Sequence, residues 1–235
     1  MTNNVLLNNV DHKDLRVITT RGADYGDNVM FAPTFPGEFR SVQAHYPIVF
    51  RKTADGQFQP LALFGFQENQ NLFLGPQGWD ATYVPLMIER LPFLIGRSDQ
   101  QLLVHVDLDS PRISRTAGEP VFLPHGGSTQ FLERMNSVLL AIHEGVASTT
   151  AFVAKLLEYQ LLESFVLDIQ LANGSQNRLT GFYTLNEERL TNLSGFALEL
   201  MSKAGQLQAA YMAVASLSNF RSLIERQNRL HAGAH

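Results

Sequence analysis

An α+β fold, with a β-rich N-terminal half packed with a mainly helical C-terminal half, follows from three observations. From Asp11 to about Pro124, short apolar runs alternate with Gly, Pro, Asp and Asn, the pattern of strands and turns. From about 128 to 230 the apolar residues instead recur every three or four positions, as on one face of a helix. A stretch of strict alternation, Phe165, Leu167, Ile169 and Leu171, interrupts the helical part and marks a single β-hairpin there. The sheet of the first half is expected to be antiparallel or mixed, and residues 1–235 are expected to form one domain.

Taken in order, Ile48 to Lys52 and Phe58 to Phe66 flank Ala54-Asp55-Gly56, so an Asp-Gly turn joins two apolar runs into a hairpin. Asn71 to Leu74 reads as a further strand before Gly75-Pro76. Tyr83 to Glu89 reads as another, with Pro85 at an edge or a strand start. Leu102 to Leu108 is the clearest: Val104, Val106 and Leu108 make one apolar face, while Leu103, His105 and Asp107 face the other way and turn polar.

The helical half opens with Phe131, Leu132, Met135, Val138, Leu139 and Ile142 on one face, capped by Ser128 or Thr129, with Glu133 in the first turn where the helix dipole favours an acid. Gly145 is expected to interrupt it. A second helix, from near Ser148, then carries Phe152, Val153, Leu156, Leu157 and Leu161 inward. After the hairpin, whose turn holds Asn173-Gly174 and whose second run is Leu179 to Leu185, Asn186 caps a short helix with Leu190 and Leu193. Two more helices, Phe196 to Lys203 and Leu207 to Arg229, are separated by Gly205. The alanines at 209, 210, 213 and 215 allow the last one to approach a neighbour closely.

Composition narrows the function classes. A chain of 235 residues buries roughly 70% of its unfolded surface and needs no metal or disulfide staple. The 45% hydrophobic and 17% charged content belongs to a soluble globular protein. A net charge of −4 supplies no positive field for a polyanion, so nucleic acid is not expected as a partner. There is no cysteine, which excludes disulfides, thiolate metal sites and a cysteine nucleophile. The N-terminus lacks the basic and apolar regions of a secretory signal, and charged or polar residues interrupt every long apolar run. A cytoplasmic protein that does not span a membrane is the expectation.

Ordered blocks along the chain carry a resemblance. They are Tyr46-Pro47-Ile48-Val49, Leu61-x-Leu63-x-Gly65, Asn71-Leu72-Phe73, Trp79-x-x-x-Tyr83-Val84-Pro85, Arg90-x-Pro92-Phe93 and Asp107-x-x-Ser110. Leu161-Leu162-Glu163-Ser164-Phe165, Gly181 to Glu187, Leu200 with Gly205, and Ser216-Leu217-Ser218-Asn219 continue them. With these the chain resembles the bacterial SapC-like family over nearly its full length. The resemblance implies association with surface-layer or nutrient-uptake gene loci, some beside flavin-dependent halogenase-like proteins, and assigns no reaction. Some members carry permease labels, which this sequence reading does not support.

Three sets of residues are candidates for a site. Trp79, Tyr83 and Arg90 bring contact area and planar donors suited to a ligand or protein partner, although a lone Trp most often packs in or beside a core. His105, Asp107 and Asp109 alternate along a strand and could present metal ligands to one point, with His105-Val106-Asp107 matching the H-x-D element of facial-triad iron sites. No second histidine falls on a later predicted strand, so a solvated polar face explains these residues better. Finally, His125, Gly126, Gly127 and Ser128 link a strand to a helix start, where free N–H groups could hold an anion, or where a Gly-Gly turn simply precedes a helix cap. No complete nucleotide, hydrolase or glycosidase motif is present. A non-catalytic accessory protein without cofactor, acting on a protein partner or small ligand, is therefore the leading expectation; a ligand-binding protein or an enzyme, metal-dependent or otherwise, is the alternative.

Overall fold

Turn-punctuated apolar runs become short strands when a side chain or a glycine ends each of them within a few residues. In the computed structural model, which describes residues 3–98, 101–171, 174 and 176–232, the chain begins with β1 (Asn4–Leu6), β2 (Arg16–Val17), β3 (Phe31–Pro33) and one helical turn, α1 (Phe39–Val42). The strands β4 (Ile48–Lys52), β5 (Phe58–Leu63), β6 (Leu74–Gly75) and β7 (Gly78–Trp79) follow, then a short helix α2 (Leu86–Glu89). Next come β8 (Phe93–Ser98), β9 (Gln101–Asp107), β10 (Ile113–Ser114) and β11 (Glu119–Pro120). The rest comprises α3 (Gln130–Glu158), β12 (Leu162–Gln170), β13 (Gln176–Leu185), α4 (Glu187–Thr191), α5 (Gly195–Lys203), α6 (Gln206–Ser216) and α7 (Asn219–Ala232). This is an α+β protein, and its paired strands run antiparallel.

The chain divides into two compact units. The first consists of Met1–Asn28, Leu74–Trp79 and Leu86–Glu144. It holds a three-stranded sheet in the order β1-β9-β8, a smaller one in the order β10-β2-β11, and the β6-β7 ribbon. Val106, paired with both Val5 and Phe93, lies at the centre of a core with Leu15, Val17, Val121, Leu132, Met135 and Leu139. Thr129 is the residue that caps α3: its hydroxyl accepts from Leu132 N at 3.3 Å and bonds the carbonyl of Pro120 at 2.8 Å.

The second unit consists of Val29–Phe73, Asp80–Pro85 and Gly145–His235. Its five-stranded sheet has the order β12-β13-β4-β5-β3. Phe50 on one face meets Phe152 of α3, and Phe165 on the other stacks on Phe220 of α7. Helices thus cover both faces of this sheet. The β4-β5 hairpin is closed as the Asp-Gly turn predicts, with Gly56 at φ 81° and Thr53 N donating to the Gln57 carbonyl at 2.8 Å. Between β12 and β13 the register shifts after Phe165 and Phe182, so that Thr180 and Gly181 lie opposite Val166; Gly181, at φ 83°, takes the left-handed conformation this bulge requires. Asn173 of the predicted turn lies outside the described residues.

Several expectations are corrected. Asn71 to Leu74 is mostly a turn, because Asn71 Oδ1 accepts from Phe73 N at 3.0 Å and bends the chain. Tyr83 to Glu89 is not a strand: Pro85 precedes the single helical turn of α2, a position its fixed φ favours. The helix predicted from Leu207 to Arg229 is broken at Leu217-Ser218, where Ser216 and Ser218 bond back to the carbonyls of Ala213 and Ala215.

Gly145 does not interrupt a helix pair. It lies inside the continuous α3, and a Cβ there would stand 2.2 Å from Cδ2 of Phe35, so the glycine admits an aromatic ring. Alanine is the better helix former by about 1 kcal/mol, yet overpacking of this kind costs typically 1–3 kcal/mol. Gly145→Ala is therefore expected to destabilise the protein in urea titration. Phe35→Leu in the same chain is expected to recover much of the loss, and simple additivity of the two changes would refute the contact.

Candidate functional site

In the first unit the polar side chains converge on one buried carboxylate. Asp27 is fully buried and Arg112 is 1% exposed. One terminal nitrogen of Arg112 donates to both Asp27 oxygens at 2.6 Å, and the other donates to the carbonyls of Ile18 and Thr20. Gly22 N and Arg21 also donate to Asp27, at 2.8 and 3.4 Å, and the Tyr25 ring lies 5.6 Å from the Arg112 guanidinium carbon. Burial, and then the neighbouring Arg112 charge, push the Arg21 guanidinium below its ordinary value. These bonds tie the irregular stretch from Ile18 to Asp27 together.

The second unit has its own polar assembly, around Asp80–Pro85. Tyr83 donates from its hydroxyl to Oε1 of Glu38 at 2.9 Å, and Thr34 donates to Oε2 of the same carboxylate at 2.7 Å. Glu38 is only 4% exposed. The buried Tyr46 donates its hydroxyl to the Tyr83 carbonyl, while His45 Nε2 lies 2.9 Å from the Thr82 hydroxyl. Arg226 reaches across from α7, stacks 4.3 Å over the Phe73 ring, and donates to the side chain and carbonyl of Asp80. Asp80–Pro85 is thus held at Asp80 and Tyr83.

Against this geometry, the aromatic-basic candidates separate. Trp79 and Arg90 belong to the first unit and Tyr83 to the second. Trp79 is half-buried on β7 opposite Leu74. Arg90 donates to the Phe93 carbonyl at 2.7 Å, and burial pushes its guanidinium below its ordinary value. Tyr83 is spent on Glu38.

The predicted metal face keeps its strand but not its ligands. The ring of His105 lies over Gly96, where an added Cβ would be 2.3 Å from it, and Asp107 Oδ1 accepts from Asn3 N and Asp109 N at 3.1 and 3.2 Å. Among the described residues no group of three or more His, Asp or Glu is placed to hold a metal ion. Asp107 orders a turn because its carboxylate is adjacent to those N–H groups.

The turn of His125, Gly126, Gly127 and Ser128 is likewise spent on itself. Gly126 N donates to Leu123 O, Leu123 N donates to Gly127 O, and Phe122 bridges Ser128, with both glycines in the left-handed region. His125 is exposed.

Sequence reasoning missed Asp27, Arg112, Glu38, His45 and Thr82, and charge pattern alone reads Arg221, Arg226 and Arg229 of α7 as one solvated helix face. Arg221 and Arg229 are indeed exposed, but Arg226 packs on Phe73. No local pattern separates the three arginines. It also excluded any membrane-length helix. Among the described residues, α3 has the length and composition to cross a membrane, and 28% of its apolar window is buried.

A model of the SapC family matches residues 7–223 of the chain. No curated protein matches, and neither does any solved structure.

The buried pair in the first unit gives a sharp expectation. Asp27→Ala leaves the Arg112 charge uncompensated and should cost about 3–5 kcal/mol in chemical denaturation. Replacing both partners together, Asp27→Leu with Arg112→Met, should cost clearly less. Equal losses would show that the pair is not the cause.

Proposed function

We propose that this chain, which belongs to the SapC family, is a soluble, cytoplasmic and non-catalytic accessory protein that docks a protein partner, in the setting of the nutrient-uptake or surface-layer loci that the family implies. One observation carries the reading. Phe196 on α5 is 72% exposed and Leu200, one helical turn on, is also exposed, so a large aromatic and an aliphatic side chain share one solvent-facing stripe. Aromatic anchors of this kind dominate the binding energy of protein interfaces.

The contrast with the polar candidates supports it further. Glu38, Asp27, Asp107, Arg90, Arg112 and Arg226 each hold the chain's own backbone or side chains. Leu190, Ala197 and Met201 turn inward from α4 and α5, which leaves the Phe196 stripe free of any part in that packing.

A photoreactive benzoyl-phenylalanine placed at position 196 and irradiated in the source cells is expected to give one discrete adduct, with the product of a neighbouring locus. Phe196→Ser with Leu200→Ser should abolish co-purification of that partner while the melting temperature moves by no more than about 2 °C, as surface changes do. Absence of the adduct, or turnover by the purified protein that one polar substitution abolishes, would overturn the reading.

A further inference from the structure

The contact of His45 with Thr82 is the one place in the described residues where an imidazole nitrogen meets an exposed hydroxyl at short range, 2.9 Å. We propose that Thr82 and His45 form a nucleophile and base pair that accepts one acyl group per chain from an activated ester or thioester, a stoichiometric self-acylation without turnover that goes beyond the docking reading and does not depend on it. A hydroxyl is a weak nucleophile until a base adjacent to it takes its proton, and 2.9 Å lies within the 2.6–3.2 Å over which that transfer occurs. With the imidazole neutral and protonated on Nδ1, Nε2 accepts from the Thr82 hydroxyl.

Position matters as much as distance. Thr82 is exposed, whereas the chain on either side of it is fixed: Tyr83 by Glu38 and Tyr46, and Asp80 by Arg226. His45 is fixed too. Its backbone N–H donates to the Val42 carbonyl at 3.0 Å at the end of α1, and its ring lies against the buried Tyr46 ring with centroids 5.8 Å apart. Preorganised partners of this kind lose little freedom on the way to reaction, which is where most of the gain from proximity arises.

The step balances without a further reactant. Thr82 Oγ attacks the acyl carbon, its proton passes to His45 Nε2, and a new Oγ–C bond forms. The bond from the acyl carbon to the alkoxide or thiolate then breaks, and the proton on His45 is returned to that leaving group. Acyl-Thr82 and a free alcohol or thiol remain.

The purified chain incubated with p-nitrophenyl acetate is expected to acquire acetyl on the peptide containing Thr82, read by peptide mass mapping. His45→Gln should slow this labelling by about 100-fold or more, Thr82→Ser should retain it and Thr82→Val should abolish it, while acetylation of surface lysines stays unchanged in all three. Labelling of Thr82 in the unaltered chain no faster than of other exposed hydroxyls would overturn the proposal even if a variant failed to fold.

Discussion

A carboxylate and a guanidinium withdrawn completely from water, Asp27 and Arg112, set the terms on which the first unit is built. The cost of desolvating two charges is several kcal/mol each, so such a pair persists only where every remaining donor and acceptor is nearly satisfied. The structure meets most of that demand by wrapping irregular chain around the pair: Ile18, Thr20, Gly22 and Arg21 all contribute a carbonyl, an N–H or a charge, and Arg112 Nε alone of the pair's polar atoms is buried without a hydrogen bond. The short strands β2 and β10 have little pairing of their own, since two residues on each side make a ladder of one step. Their place is fixed as much by this knot, and by Val17 in the core, as by their ladder.

The second unit solves a comparable problem with neutral donors. Glu38 is buried and takes hydroxyl bonds from Thr34 and Tyr83. Because a buried acceptor left without donors costs about 1–3 kcal/mol, the Tyr83 side chain is bound to that carboxylate as firmly as a core residue is bound by packing. Tyr46 adds a second bond to the Tyr83 backbone while its own ring packs edge-on against Phe64 and Phe73. Aromatic residues here serve as rods with a polar tip, buried along their length and bonded at the end. The same description fits Arg226, whose charged head reaches Asp80 after its guanidinium has covered Phe73.

Local chemistry made some of this legible in the sequence. The β4-β5 hairpin follows from Asp55-Gly56 between two apolar runs, and the start of α4 follows from Asn186, whose side chain accepts from Arg189 N at 2.7 Å. β9 follows from its alternation. In each case the residues that decide the structure are neighbours along the chain. Gly145 is the opposite case: glycine reads as a helix breaker locally, but its reason is the Phe35 ring, which lies far away in sequence. Arg226 differs from Arg221 and Arg229 only through Phe73 and Asp80, and the Glu38 and Tyr83 bond joins two segments with no shared pattern. Tyr83 was visible as a candidate; that it is a structural residue was not.

The aromatic and basic residues in the blocks from Tyr46 to Phe93 are therefore committed largely to the fold. Tyr46, Phe73, Tyr83 and Arg90 each answer a need of the chain itself, to satisfy a buried carboxylate, to cover a ring or to bond a carbonyl. Residues so committed make poor ligand contacts, because binding through them would first have to break bonds whose loss leaves a buried group bare. The side chains proposed above to meet another molecule have no such duties. Phe196 and Leu200 have none of the packing roles that Ala197 and Met201 fill on the same helix, and Thr82 projects from a segment that its neighbours already hold. Side chains that satisfy buried groups hold each unit's own chain, and exposed ones outside that packing are those left to meet another molecule.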